Sequence, residues 1–251
     1  ATNTYNVAVG DQTGAAITTA IRNTLIGGLV GDALTEGARN TAVGYAVLSG
    51  DTLGSRNVGI GYEVLGSQNF TTATDSYNTA VGYAAGNAVT TGVQNTIIGA
   101  LAGDALTDSG PVVAVGYEAL STEDRDGGGT TAIGYQALKT QNAGATAYNT
   151  AVGWNAGLSV TTGIQNTLFG ALAGDALTDA DHNVAIGMEA LTTDTLGSRS
   201  TAIGYNALAA QNFTTATNAD NVAVGYLAGY AVTTGIRNTL IGTNAGDALT
   251  V

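Results

Sequence analysis

Asn40-Thr41-Ala42-Val43-Gly44-Tyr45 is followed, seventeen residues later, by Asn57-Val58-Gly59-Ile60-Gly61-Tyr62. The same short phrase of Asn, Thr or Val, a small residue, Val or Ile, then Gly recurs through the chain. Its closing glycines stand at 10, 27, 44, 61, 82, 99, 116, 134, 153, 170, 187, 204, 225 and 242. Nine of the thirteen intervals are 17 residues and the rest run to 21, so the spacing reads as the length of one coil of a solenoid, with short insertions. Gly27, Gly99, Gly170 and Gly242 lie 72, 71 and 72 residues apart, and each opens a closely similar stretch. Thr90 to Asp108 returns as Thr161 to Asp179 with three changes, and Asp51 to Arg56 returns at Asp194 to Arg199. Four coils therefore form a super-repeat, approximately 6–77, 78–148, 149–220 and a partial 221–251, within a single repeat domain spanning 1–251.

Seventeen residues hold two strands of about five residues and two turns, but not a strand, a helix and two connections. The glycine in every coil would interrupt a helix. The expected fold is all-β, a parallel β-solenoid or β-roll of about fourteen coils. The residue before each glycine forms the column Val9, Ile26, Val43, Ile60, Val81, Ile98, Val115, Ile133, Val152, Phe169, Ile186, Ile203, Val224 and Ile241. Stacked at the ~4.8 Å strand spacing, these side chains make a ladder. They are expected to form the core, each burial contributing about 1.5 to 3 kcal/mol before entropy. The glycine itself implies a positive φ or a backbone contact too close for a Cβ. Asn starts eleven of the fourteen copies, where its amide is suited to bond the backbone at the turn and the Asn of the next coil.

Composition narrows the function. Seven Lys and Arg against 19 Asp and Glu give a net charge of −12, which disfavours a phosphate backbone or an anionic lipid surface as partner. No apolar run approaches the ~20 residues that span a bilayer. There is no cysteine and one histidine, His182, with no nucleophile marked for it, so no catalytic residue, cofactor or metal is expected and the chain does not read as an enzyme. Asp32, Asp104, Asp175 and Asp247 recur only every four coils, too far apart for one calcium ion. The run Glu123, Asp124, Arg125, Asp126 reads as a solvated acidic insertion.

The residue after the glycine is aromatic in eight coils: Tyr45, Tyr62, Tyr83, Tyr117, Tyr135, Trp154, Tyr205 and Tyr226. Such a stripe suits a subunit contact or a surface that stacks on a ligand. The Asn-Thr pairs raise a different class, an ice- or surface-binding face. Against it, Val replaces Thr at Val58, Val113, Val184 and Val222, and the alternation places this position in phase with the Val/Ile ladder, which is expected to face inward.

On Asn6-Val7-Ala8-Val9-Gly10, Asn183-Val184-Ala185-Ile186-Gly187 and Asn221-Val222-Ala223-Val224-Gly225, the chain resembles the YadA-type head repeats of trimeric autotransporter adhesins and similar repeats of phage tail fibres. The resemblance implies a left-handed β-roll, a homotrimer packed through small residues, and an extracellular location on a cell surface or virion. It also implies an outer face that binds a host-surface glycan or matrix protein. The coils here are longer than those of the family, and none of these 251 residues is expected to form the family's neck, stalk or anchor. The glycine spacing across a head-to-tail joint would fall within the range seen inside the chain, which makes a filament the other expected assembly. The expected function is thus a structural or adhesive fibre subunit. The alternatives are an ice- or surface-binding solenoid and a receptor-binding segment of a phage tail fibre.

Overall fold

The computed structural model describes residues 4–124 and 128–251. It is an all-strand parallel β-solenoid of about fourteen turns, dividing into two compact units, Ala1–Gly128 and Gly129–Val251. In the first, parallel strands Val7–Val9, Thr24–Gly28, Thr41–Tyr45, Val58–Tyr62, Thr79–Tyr83, Thr96–Ile98 and Val113–Val115 lie side by side in chain order. In the second the same arrangement is made by Thr131–Ile133, Thr150–Val152, Thr167–Phe169, Val184–Ile186, Thr201–Ile203, Val222–Val224 and Thr239–Ile241. Each coil has one regular strand rather than the expected two. The opposite side is a stack of turns, tied coil to coil by bonds such as Gly31 N–H to Val47 O (2.9 Å) and Thr35 N–H to Thr52 O (3.0 Å). Among the described residues, the short pairs Gly54–Ser55 with Thr74–Asp75, and Gly197–Ser198 with Thr217–Asn218, add strand there.

Register follows the sequence phrase column by column: Thr41 lies on Val58, Val43 on Ile60, Gly44 on Gly61 and Tyr45 on Tyr62. The ladder of Val and Ile therefore exists, but it is not the core. Val9, Ile26, Ile60, Ile98, Ile133, Phe169, Ile186 and Ile241 are exposed, and Val43, Val81, Val115, Val152, Ile203 and Val224 are half-buried. The residue between the two outward positions points inward instead, and Leu25, Ala42, Ala80, Ile97, Ala114, Ala151, Leu168 and Ala185 are fully buried. That inward position is alanine in most coils and Leu or Ile at Leu25, Ile97 and Leu168, so the interior takes small and aliphatic side chains while the β-branched ladder is left outside.

The remaining space in each coil takes one large apolar side chain, from either of two positions. Gly31 is followed three residues later by Leu34, and a Cβ on Gly31 would stand 2.7 Å from Leu34 Cδ1. The next two coils reverse this, with Leu48 and Leu65 inside and the polar Asp51 and Gln68 at the later position. Gly86/Val89 and Gly103/Leu106 then restore the first form. This two-by-two alternation underlies the four-coil super-repeat.

Where a polar residue occupies the later position it is buried and bonded. Gln68 Nε2 donates to Asp51 Oδ2 at 2.6 Å, while Asp51 Oδ1 accepts from Gly54 N–H (3.0 Å) and Phe70 N–H (3.5 Å). Gln68 Oε1 accepts from Asn78 Nδ2 at 2.8 Å, linking this seam to the asparagine column. The second unit repeats the seam with Asp194, Gln211 and Asn221. In the asparagine column, Asn23 Oδ1 accepts the Asn40 N–H (2.8 Å) and Asn40 Oδ1 accepts the Asn57 N–H (2.9 Å). Meanwhile Asn23 Nδ2 closes its own coil on Gly37 O (2.8 Å). Both bonds expected of these amides are thus made, and the buried amides of this column are satisfied by the repeat itself. Glu123 is fully buried, so it is no part of a solvated loop; Arg125 and Asp126 lie outside the described residues.

Gly61 shows why its column admits nothing larger. Its φ is +141°, and a Cβ would run into the carbonyl oxygen of Gly82 in the next coil. Gly61→Ala is expected to lower unfolding stability by about 3 to 5 kcal/mol, combining backbone strain with displacement of a neighbouring coil, as read by urea denaturation. Asp51 supplies a pH test, because burial raises its pKa above the ordinary 3.8 against the hydrogen bonds that lower it. A carboxyl that holds its proton more tightly when folded contributes stability that is present below about pH 3.8 and is lost as pH rises through its elevated value. The stability of the wild type relative to Asp51→Asn should therefore fall between pH 3.5 and neutrality; a relative stability that rises would show the carboxylate to be the form the fold prefers.

Candidate functional site

Because strand side chains alternate, the Thr/Val column and the Val/Ile/Phe column share one face, and that face is the outer one. Thr41, Thr167 and Thr239 are exposed, and Thr24, Val58, Thr79, Thr96, Val113, Thr150, Val184, Thr201 and Val222 are half-buried. The inward placement expected of Val58, Val113, Val184 and Val222 is thereby corrected. Across fourteen coils the two columns offer 28 side chains, all Thr, Val, Ile or Phe, and none carries a charge. Within each unit, with columns two residues apart and coils at ~4.8 Å, they form a regular grid of methyl and hydroxyl groups on a parallel sheet.

The aromatic column borders this grid. Tyr45, Tyr62, Tyr83, Tyr117, Tyr135, Trp154, Tyr205 and Tyr226 are all exposed, from 40% at Tyr205 to 55% at Tyr83. The rings stack on one another. Centroids lie 5.3 Å apart for Tyr45 and Tyr62, 5.4 Å for Tyr62 and Tyr83, 6.3 Å for Tyr135 and Trp154, and 5.4 Å for Tyr205 and Tyr226. The column is interrupted by Gly28 and Ala100 in the first unit and by Ala171 in the second, while exposed Met188 takes a ring position. These interruptions fall in the coils that place Leu25, Ile97 and Leu168 inside. The Glu63 carboxylate, accepting the Tyr62 hydroxyl, raises the Tyr62 pKa.

Charge is kept to the turns. Arg56 pairs with Asp75 at 2.8 Å and lies 5.3 Å from the centre of the Tyr77 ring. Tyr77 and Tyr148 precede the coil-opening asparagine and are exposed beyond the predicted stripe. With Tyr5 they stand 72 and 71 residues apart, so the four-coil period, not the seventeen-residue one, is the signal that marks them. Asp175, one of the four widely spaced aspartates, accepts the Thr192 hydroxyl at 2.6 Å; burial raises its pKa, and the charge of Glu189 adds to the effect. Among the described residues no group of three or more His, Cys, Asp or Glu is gathered as a metal site, and no helix is long and apolar enough to cross a membrane. His182 sits exposed at a turn.

No family model, curated protein or solved structure matches this chain. The outer sheet face with its bordering rings is the feature on which a function can be built.

Proposed function

We propose that the chain is a structural fibre segment that associates with further copies of itself through the outer sheet face, in an extracellular setting on a cell surface or virion. The observation that carries this reading is the uncharged, exposed ladder of Val, Ile and Phe on a regular sheet. Seven coils at strand spacing give each unit a face of roughly 450 Å², a size at which exposed apolar patches on soluble proteins mark interaction sites. A second copy is the favoured occupant on charge. Each chain carries −12, so two copies meet with least repulsion where neither has a charge, and in each unit this face offers 14 uncharged positions in register. A cationic partner would find no carboxylate there. The stacked rings extend the same surface with large, rigid contact area. The resemblance to trimeric heads suggests three copies, and display of a host-binding surface would follow from the regular stacking of coils within each unit rather than from any chemistry.

Orientation of the threonines favours a second reading. Facing outward, they make the grid of hydroxyls and methyls that an ice- or surface-binding solenoid requires, and their replacement by valine keeps the same shape.

Sedimentation velocity at about 100 µM is expected to show an oligomer for the wild type. For Val43→Lys with Ile60→Lys it should show smaller species with an unchanged circular dichroism spectrum, since both side chains already reach solvent. A monomeric wild type would overturn the self-association reading. Thermal hysteresis and ice shaping by that monomer, lost on Thr41→Lys, is the result expected of the second reading; its absence would remove that reading too.

A further inference from the structure

The two units are close copies offset by 143 residues, and at one place they depart from each other at every position that shapes the surface. Asp51 to Arg56 equals Asp194 to Arg199, and Gln68 to Thr74 equals Gln211 to Thr217. Between and beside these identical stretches, the second unit carries a depression of about 230 Å³ lined by Glu189, Thr192, Thr193, Asn206, the pair Ala209–Ala210, and Tyr230. The counterparts in the first unit are Ala46, Ser49, Gly50, Glu63, Gly66, Ser67 and Asn87, so all seven differ.

The backbone is the same in both. Ser67 N–H bonds to Asn87 O at 3.0 Å, and Ala210 N–H to Tyr230 O at 3.1 Å. The side chains decide. In the first unit Asn87 folds across Gly66, its Nδ2 donating to Glu63 O at 2.9 Å and standing 3.1 Å from where a Gly66 Cβ would be. In the second, Ala209 supplies that methyl group and Tyr230 replaces the asparagine, with 46% of its surface exposed as a wall. The place that Asn87 closes is thus open beside Tyr230.

We infer that this depression binds a neutral pyranose ring. Tyr230 offers a face for the C–H side of a sugar, and the small floor of Ala209 and Ala210 lets the ring approach. The Glu189 carboxylate accepts hydroxyl hydrogen bonds, and the Asn206 amide both donates and accepts. Thr192 has committed its own proton to Asp175, which leaves its oxygen as an acceptor toward the opening. With no Lys or Arg in the lining, and Asp175 behind Glu189, an acidic sugar is repelled. The lining residues belong to the turns rather than to the strands.

Ligand-observed saturation-transfer NMR on the full chain tests this, using methyl glycosides of glucose, galactose, mannose and N-acetylglucosamine, with methyl N-acetylneuraminate for comparison. At least one neutral glycoside is expected to show saturable transfer with a Kd on the order of millimolar, as a shallow single-ring site allows. Tyr230→Asn, which installs the residue of the first unit, and Glu189→Ala should each weaken it by ~10-fold or more with unchanged melting temperature. Asn87→Ala in the first unit should leave it unaffected. The inference is overturned if no neutral glycoside gives saturable transfer, if neither variant at Tyr230 or Glu189 weakens it, or if the acidic sugar binds as well. Should either variant lower the melting temperature, competition between two glycosides on the wild type decides: mutual displacement is required of a single site, and additive signals sink it.

Discussion

In each coil a backbone carbonyl oxygen occupies the place where a side chain on the coil below would begin. At Gly44 the obstructing atom is the oxygen of Gly61, and at Gly61 it is that of Gly82. Because the contact is backbone on backbone, nothing can relax to admit a Cβ, and the strands can approach only with glycine on glycine. That constraint fixes register, and register turns every other position into a column of like residues. The insertions respect it: the 21-residue coils add their extra residues after Gln68 and Gln211, on the side of the turns, and fold Phe70 and Phe213 inward to cover the bulge. The strand side stays unperturbed.

Stacking brings its own polar requirement, and the asparagines meet it. A coil that closes on itself leaves a carbonyl inside the turn and an N–H at the next strand entry. A side-chain amide satisfies one with its NH₂ and the other with its oxygen, as Asn40 does toward Gly54 O (3.0 Å) and Asn57 N–H (2.9 Å). Where Ser200 takes the opening place, its own N–H still donates to Asn183 Oδ1 at 2.8 Å, so an occasional substitution interrupts the column without orphaning the coil before it. Leaving such groups buried and unpaired would cost about 1 to 3 kcal/mol each.

Coil length, parallel stacking, the glycine constraint and the amide bonds were all legible in the sequence, because each imposes a repeated residue type. Which face was inside was not legible from β-branching. Val and Ile mark a strand, and strand propensity is satisfied on an exposed face as well as a buried one. Alternation left two choices, and the better guide was the intervening column, where Ala42, Ala80 and Ala114 never give way to a polar residue, whereas the neighbouring column exchanges Val58 for Thr41 freely. Threonine is tolerated where its hydroxyl meets water. The exchange of Gly31 and Leu34 for Leu48 and Asp51 was equally readable, as two positions sharing one volume. The depression beside Tyr230 left no periodic trace, since it exists only where the periodicity is broken.

That separation between framework and surface is the property that makes such a fold usable. The glycine column that sets register does not vary, because each glycine abuts the glycine of the next coil, and the interior column exchanges only among Ala, Gly, Leu and Ile. Side chains at the left-handed turn positions are different. Glu189 (φ 57°) and Ala46 (φ 51°) hold the same backbone conformation in the two units, as do Asn206 (φ 54°) and Glu63 (φ 50°), yet they present unrelated chemistry. An L-residue other than Asn or Asp held there costs roughly 1 kcal/mol or more, so exchanging one such side chain for another, as at Glu189 and Ala46, adds little. Variation therefore accumulates at the turns without disturbing the stack, and a site can appear in one copy of a repeat while its counterpart stays closed.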